Sequence, residues 1–262
     1  MKIDIVSVFP EFFDVLRLSL LGKAQDKGLI SIAAHDLRDW THDVHHCVDD
    51  TPVGGGAGMV MKPEVWGECL DDLLRADAGR PTLIFPNPSA PLFTQSDATE
   101  LSGADHLIFG CGRYEGYDAR IPEHYRACGI DVREYSIGDY VLNGGEVAAA
   151  AMLEAITRLI PGFMGNPESI VEESYTGRNA LLEHRQYTKP AQWRGLDVPT
   201  ILLSGDHGKV DRYRRDEAMR RTDRIRPDLI GRLVCSELDK ADLALLGSLG
   251  WDLSGEHPTR IE

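Results

Sequence analysis

The sequence predicts an α/β fold built on a mostly parallel sheet, followed by a smaller, mainly α-helical C-terminal domain. Three observations predict it. Short apolar runs alternate with stretches of helical spacing over the first 160 residues, an Ala-rich segment closes that region, and helical patterning dominates after a breaker-rich interval. Strands that alternate with helices need crossover connections, which lay helices over both faces of a parallel sheet.

Residues 2–9 (K-I-D-I-V-S-V-F) and 29–34 (L-I-S-I-A-A) read as strands around a helix that follows Pro10, with Phe13, Leu16, Leu20 and Leu21 at helical spacing. A helix from Pro63 to Leu74, a strand T-L-I-F at 82–85 and a short helix starting at Thr94 continue the alternation, with strands at 106–110 and 130–137 after them. The run G-E-V-A-A-A-A-M-L-E-A-I-T-R-L-I at 145–160 consists mostly of strong helix formers. Beyond Ile160, P-G-F-M-G-N-P-E-S has no apolar period, as expected of a linker. The division is therefore a domain at 1–160, a linker at 161–176 and a domain at 177–262. In the last, Asp206 can cap a helix to Thr222, another helix runs through Leu243 to Leu246, and an apolar P-T-I-L-L-S-G at 199–205 stands apart.

A chain of 262 residues with 42% hydrophobic residues can bury one sizeable core and a smaller one. The first apolar run is interrupted by Asp4, and no stretch approaches the roughly 18 uninterrupted apolar residues of a membrane span. A cytoplasmic location without a membrane partner is the expectation. Five cysteines without a C-x-x-C pair fit reduced thiols. The net charge of −14 argues against indiscriminate polyanion binding, but nucleic-acid affinity depends on where the cations sit. The run at 207–226 places Lys209, Arg212, Arg214, Arg215, Arg220, Arg221, Arg224 and Arg226 among four acids, which fits either a cationic face or an exposed, salt-bridged helix.

Four loops carry candidate chemistry. T-P-V-G-G-G-A-G-M at 51–59 lacks the third glycine of a dinucleotide fingerprint and the G-K-[ST] ending of a P-loop, leaving a flexible turn or a phosphate cradle. Just before it, T-H-D-V-H-H-C-V-D-D at 41–50 crowds potential metal ligands together, yet no second cluster lies at a matching spacing, and polar loops also bind substrates. F-P-N-P-S-A at 85–90, G-C-G-R-Y-E-G at 110–116 and S-I-G-D-Y-V-L-N-G-G-E at 136–146 fall where strands should end. In open α/β sheets, ligands bind outside the carboxyl ends of strands, so three such loops together predict a pocket.

These motifs, with I-V-S-V-F-P, T-H-D, V-D-D, I-P-G and L-L-S-G-D-H in the same order along nearly the whole chain, resemble the bacterial tRNA (guanine-N1)-methyltransferases, the TrmD family of knotted SPOUT enzymes. The resemblance implies a homodimer with its active site at the subunit interface, and a deep trefoil knot that binds S-adenosyl-L-methionine. It implies a cofactor pocket of Phe85, Pro88, Gly112, Tyr114, Glu115, Gly116, Ser136, Ile137, Gly138, Asp139, Tyr140, Val141, Leu142, Gly144 and Gly145. His45, Asp50, Gly54, Gly55, Gly56 and Met59 would face the target nucleotide of tRNA, with Lys209, Arg214 and Arg215 on the RNA backbone. No protein-bound metal is implied; Mg2+ accompanying the tRNA is expected without residues assigned to it.

The implied reaction sets its own requirements. Guanine N1 is protonated at neutral pH, so a general base within about 3 Å must remove that proton. A cation near O6 would stabilise the charge left behind. The family pattern puts an Arg near the end of the knot helix and an Asp 15 positions later; the matching residues are Arg158 and Glu173, a departure by one methylene. Read without the resemblance, Arg158 is a cation at a helix C-terminus, stabilised by the dipole. Glu172, next to Glu173, reads as a solvated charge.

Overall fold

The computed structural model describes residues 1–76, 79–166, 173–177 and 179–261. The chain divides into two compact units, Met1–Gly165 and Asn166–Glu262.

The first unit opens with β1 (Lys2–Ser7), a 3-10 segment at Pro10–Arg17, α1 (Ser19–Asp26) and β2 (Ser31–Asp36). The single helix expected after Pro10 is thus broken in two. Ser19 takes a left-handed φ of 54°, and a Cβ at Gly22 would strike the Arg17 carbonyl, so the chain turns where apolar spacing alone would carry a helix through. A small hairpin, β3 (Asp49–Asp50) and β4 (Val60–Met61), frames the first glycine loop. Then follow α2 (Pro63–Arg75), β5 (Thr82–Pro86), α3 (Gln95–Leu101), β6 (His106–Gly110), α4 (Arg120–Ala127), β7 (Asp131–Tyr135) and α5 (Glu146–Thr157). Thr94 and Asp97 form a reciprocal capping box at the start of α3. Sequence reading does not mark α4, which contains Pro122; in its first turn that ring removes only an N–H that would have no helical partner.

Five strands pair in the order β2-β1-β6-β5-β7, every contact parallel. Alternating side chains feed two cores. Ile3, Ile5, Ile84, Leu107 and Phe109 pack with α1, α3 and α5, while Val6, Leu83, Phe85, Ile108 and Val132 pack with α2 and α4. A parallel sheet covered on both faces is the predicted architecture. One acidic side chain interrupts these cores. Asp4 is 2% exposed, with one carboxylate oxygen 2.7 Å from His35 Nε2 and the other 2.7 Å from His106 Nε2 and 3.0 Å from Lys2 Nζ. Burial pushes its carboxyl up, but the contacts with His106, His35 and Lys2 outweigh that and hold it far below the usual carboxylate range.

The second unit contains two short hairpins, β8 (Gln192–Trp193) with β9 (Leu196–Asp197) and β10 (Trp251–Asp252) with β11 (Thr259–Arg260). Between them lie α6 (His207–Ile225), α7 (Pro227–Ile230) and α8 (Lys240–Ser248). Asp206 caps α6 by accepting from the Lys209 N–H, and the helix runs three residues past Thr222. The apolar segment at 199–205 holds a 3-10 turn, Thr200–Leu203. Met219, Ile230, Leu233, Leu245, Leu246 and Trp251 make a separate core.

Candidate active site

β6, β5 and β7 are neighbours in the sheet, so their carboxyl ends deliver three loops to one place. The loop after β6 is strapped to the β4 strand: Glu115 N–H donates to Met59 O at 3.0 Å, Met61 N–H to Gly116 O at 2.9 Å and Asp118 N–H to Met61 O at 3.1 Å. Within it Tyr114 takes a φ of 58°, an uncommon conformation for an aromatic residue. The loop after β7 is tied to the loop after β5 by Ser136 N–H to Pro91 O and Phe93 N–H to Ser136 O, at 2.9 and 2.8 Å. It returns to the β6 loop through Gly145 N–H to Gly112 O at 2.9 Å. That approach favours glycine, because a Cβ on Gly145 would lie 3.0 Å from Cys111 Cα and 3.2 Å from Gly112 N.

The three loops enclose a cleft of about 270 Å³, near the small end of ligand sites, which run from about 300 to 1,000 Å³. Its walls include Pro86 to Ser89, Gly112 to Tyr117, Tyr135 to Ile137 and Tyr140 to Gly145. Two carboxylates brace it, Glu134 half-buried and Glu146 buried. Glu134 Oε1 accepts from Tyr117 Oη at 2.8 Å and from Asn87 Nδ2 at 3.0 Å, and Oε2 accepts from Arg126 at 2.7 Å. Burial raises the Glu134 carboxyl, but the donors Arg126, Asn87 and Tyr117 win and hold it low; burial and the Glu134 carboxylate push the Tyr117 phenol well above its ordinary value. Glu146, 1% exposed at the start of α5, accepts from Ser7 Oγ at 2.6 Å and from Arg113 Nε at 3.0 Å. The Arg113 guanidinium also lies 4.6 Å from the Phe9 ring centroid.

This set of groups fits S-adenosylmethionine. A nucleoside with an amino-acid tail needs close backbone approach, apolar walls and a few charges. The glycine cradle at 112 and 145, the exposed Tyr114 and Tyr140, and Arg113 and Glu115 meet those needs.

The sequence profile described as tRNA (Guanine-1)-methyltransferase TrmD matches residues 1–232. The chain is 76% identical to the tRNA (guanine-N(1)-)-methyltransferase of Bifidobacterium longum (strain NCC 2705), covering 100% of this chain and 99% of the relative. It is 56% identical to the protein of the same name from Thermobifida fusca (strain YX), over 98% of each chain, and 54% identical to that of Kineococcus radiotolerans, over 97% of this chain and 93% of the relative. The chain belongs to the tRNA (guanine-1)-methyltransferase family.

Within this family framework, the residues expected at the methyl donor divide by position. Pro88, Gly112, Tyr114, Glu115, Gly116, Ser136, Ile137, Tyr140, Val141, Leu142, Gly144 and Gly145 all line the cleft. Gly138 and Asp139 lie in the same loop but outside the wall, where Ser136 Oγ donates to Gly138 O at 2.9 Å. Phe85 is fully buried below it, its ring 4.8 Å from Tyr117 and 5.9 Å from Trp66, so its side chain supports the floor. Sequence reading passes over Arg113, Tyr117, Glu134 and Glu146. Arg113 and Glu146 stand inside the quoted motifs, but charged residues in glycine loops are mostly solvated, and only the fold shows these two paired, Glu146 buried and Arg113 half-buried.

Of the residues expected to face RNA, His45, Asp50 and Gly54 to Gly56 are exposed and Met59 is half-buried. In the neighbouring histidine cluster, His42 Nε2 lies 2.7 Å from Glu68 and His46 Nδ1 lies 2.8 Å from Thr41 Oγ1. Among the described residues, no three His, Cys, Asp or Glu side chains are placed to hold one ion. On α6, Lys209 pairs with Asp206 at 2.9 Å, and Arg212 and Arg215 are drawn onto the buried Asp242 at 2.8 and 3.0 Å. Arg214 reaches Asp211 only at 3.8 Å. Arg220, Arg221 and Arg224 make no ion pair among the described residues, so the basic run is partly scaffold and partly open charge. Arg158 is the half-buried C-cap of α5, whose N–H donates to Glu154 O at 3.4 Å. Glu173 begins a turn in the second unit: its N–H donates to Thr176 Oγ1 at 3.0 Å, and the same hydroxyl donates back to Glu173 O at 2.8 Å. Glu172 lies outside the described residues.

Proposed function

We propose that the protein transfers a methyl group from S-adenosyl-L-methionine to N1 of guanine 37 in tRNA, beside the anticodon, supporting reading-frame maintenance. The observation that carries this reading is the cleft made by three loops at adjacent strand ends, two of them glycine-rich, in a chain of this family. Bound there, S-adenosylmethionine supplies an electrophilic methyl carbon on a positively charged sulfur. The cleft-lining residues from Pro88 to Gly145, with Phe85 beneath them, hold and bend it; their backbone N–H and C=O groups suit an adenine edge.

Glu173 is the proposed general base for guanine N1, and Arg158 the cation that stabilises negative charge on O6. The Thr176 turn fixes the backbone from which the Glu173 carboxyl projects, which limits the freedom added by its extra methylene. His45, Asp50, Gly54, Gly55, Gly56 and Met59 receive the target nucleotide, and Lys209, Arg214 and Arg215 contact RNA phosphates, joined by Arg220, Arg221 and Arg224. In this reading residues 1–160 form the knotted methyltransferase domain, 161–176 the linker and 177–262 the tRNA-binding domain. Exposed Phe9, Phe12, Val15, Leu18 and Leu20 support a homodimer, since a lone subunit would leave that apolar face in water. The substrate places the enzyme in the cytoplasm; Mg2+ comes with the tRNA.

Transcripts carrying guanine, inosine or adenine at position 37, with guanine at 36, test the reading. Guanine should gain N1-methylguanine and adenine nothing; equal modification of the adenine transcript, or methyl on ribose, would overturn it. Glu173→Gln should lose about 10²- to 10⁴-fold in the single-turnover rate while keeping donor affinity, and full activity would remove Glu173 from the mechanism. Arg158→Ala should slow that same step; a loss confined to donor binding would contradict its role.

A further inference from the structure

Among the described residues, Arg113 is the one cation that lines the cleft and Glu115 the one anion. Its position is built rather than incidental. Nε lies 3.0 Å from both oxygens of Glu146, though only Oε1 accepts in hydrogen-bond geometry, and Ser7 Oγ holds that oxygen from the end of β1. A single ion pair thus joins the end of β1, the loop after β6 and the start of α5. Gly144 is the space it needs: a Cβ there would collide with Arg113 Nε and lie 2.6 Å from both Arg113 Cδ and Glu146 Oε2. With Nε committed, the two Nη groups donate to no acceptor among the described residues, and the side chain is 26% exposed. They form the open edge of a fork, the arrangement that suits a carboxylate.

Resting on the S-adenosylmethionine reading of the cleft, we propose that Arg113 binds the α-carboxylate of the methyl donor through its Nη groups and so selects donors that carry this group, while Glu146 acts as a positioning residue that aims the fork. A neutral nucleoside would gain nothing from a cation anchored by a buried carboxylate. The donor's carboxylate is the anionic group that the cleft can pair.

The test is calorimetric titration of the full-length protein with S-adenosylmethionine, S-adenosylhomocysteine and decarboxylated S-adenosylmethionine. Wild-type protein should bind the decarboxylated compound at least about tenfold more weakly than S-adenosylmethionine, the scale of one lost charged hydrogen bond. In Arg113→Gln, affinity for both carboxylated ligands should fall to that of the decarboxylated one, whose own affinity changes less than about threefold. Arg113→Gln with Glu146→Gln removes both charges together and should behave alike even where the single variant folds poorly. Glu146→Gln alone should keep the cation but narrow the preference by about three- to tenfold, a ratio that a purely structural role would leave unchanged. Equal weakening towards all three ligands would overturn the assignment. So would unchanged donor affinity with a reduced salt dependence of tRNA binding, which would place Arg113 on an RNA phosphate. Wild-type protein that binds S-adenosylmethionine without discriminating overturns this inference alone; wild-type protein that binds none of the ligands overturns the functional reading as well.

Discussion

Asp4 and Glu146 are both carboxylates buried to within 2% of complete exclusion from solvent, and both sit against a strand of the same parallel sheet, yet they are finished differently. Asp4 has both oxygens engaged, by His35 on one side and by His106 and Lys2 on the other. Glu146 has Oε1 shared by Ser7 and Arg113 and an Oε2 without a hydrogen bond, and its cation keeps two donor groups open on the cleft. A carboxylate with both oxygens engaged rigidifies a core, whereas an ion pair with donors left open at a cavity has capacity left for a ligand. The difference teaches that burial of charge does not by itself mark a site; the unsatisfied remainder does.

The comparison can be broken most forcefully at Asp4. Asp4→Ala strands buried donors and should cost about 3–5 kcal/mol of unfolding free energy, read from urea midpoints, while donor affinity of the folded fraction stays within about threefold. Loss of donor binding without loss of stability would make Asp4 a site residue and end the contrast. The sign of its pH dependence follows from its depressed carboxyl. The folded-state value lies below the unfolded 3.8, so the contribution is complete above that pH and disappears as the pH falls through the folded value. The stability gap between wild type and Asp4→Asn should therefore hold steady from pH 7 to about 5 and shrink as the pH falls below 3.8; a gap that stays constant below 3.8 would show that the charge contributes nothing.

Gly144→Ala sharpens the other side. It overpacks the Arg113–Glu146 pair, which should cost about 1–3 kcal/mol and weaken S-adenosylmethionine more than decarboxylated S-adenosylmethionine. Unaltered ligand preference would detach the pair from binding. Glu134→Gln is the mildest change. Its carboxylate is as fully engaged as that of Asp4 but is half-buried, so a loss near 1 kcal/mol is expected, with stability and donor affinity falling together because Asn87 and Tyr117 line the cleft.

Periodicity resolves the fold best where a single local signal governs. The strand at 106–110 and the Ala-rich helix follow from apolar runs and composition. It fails at Ser19, where a left-handed residue splits an apparently continuous helix, and at α4, where Pro122 reads as a breaker. Phe85 shows the same limit inside the site: a motif places its backbone at the cleft, but the packing of Trp66 and Tyr117 decides that its ring lies beneath.

The parallel α/β class, the three loops at strand ends and the family to which the chain belongs were all legible in the sequence, because those depend on residue type, order and spacing along the chain. The tertiary structure alone decided that Ser7, Arg113 and Glu146 share one ion-pair network, that Asp242 draws Arg212 and Arg215 into scaffold duty, and that Arg220, Arg221 and Arg224 are left without ion pairs among the described residues. Polar side chains brought together from residues 7, 113 and 146 leave no local periodic trace: their pairing is set by the distances that remain after the sheet has formed.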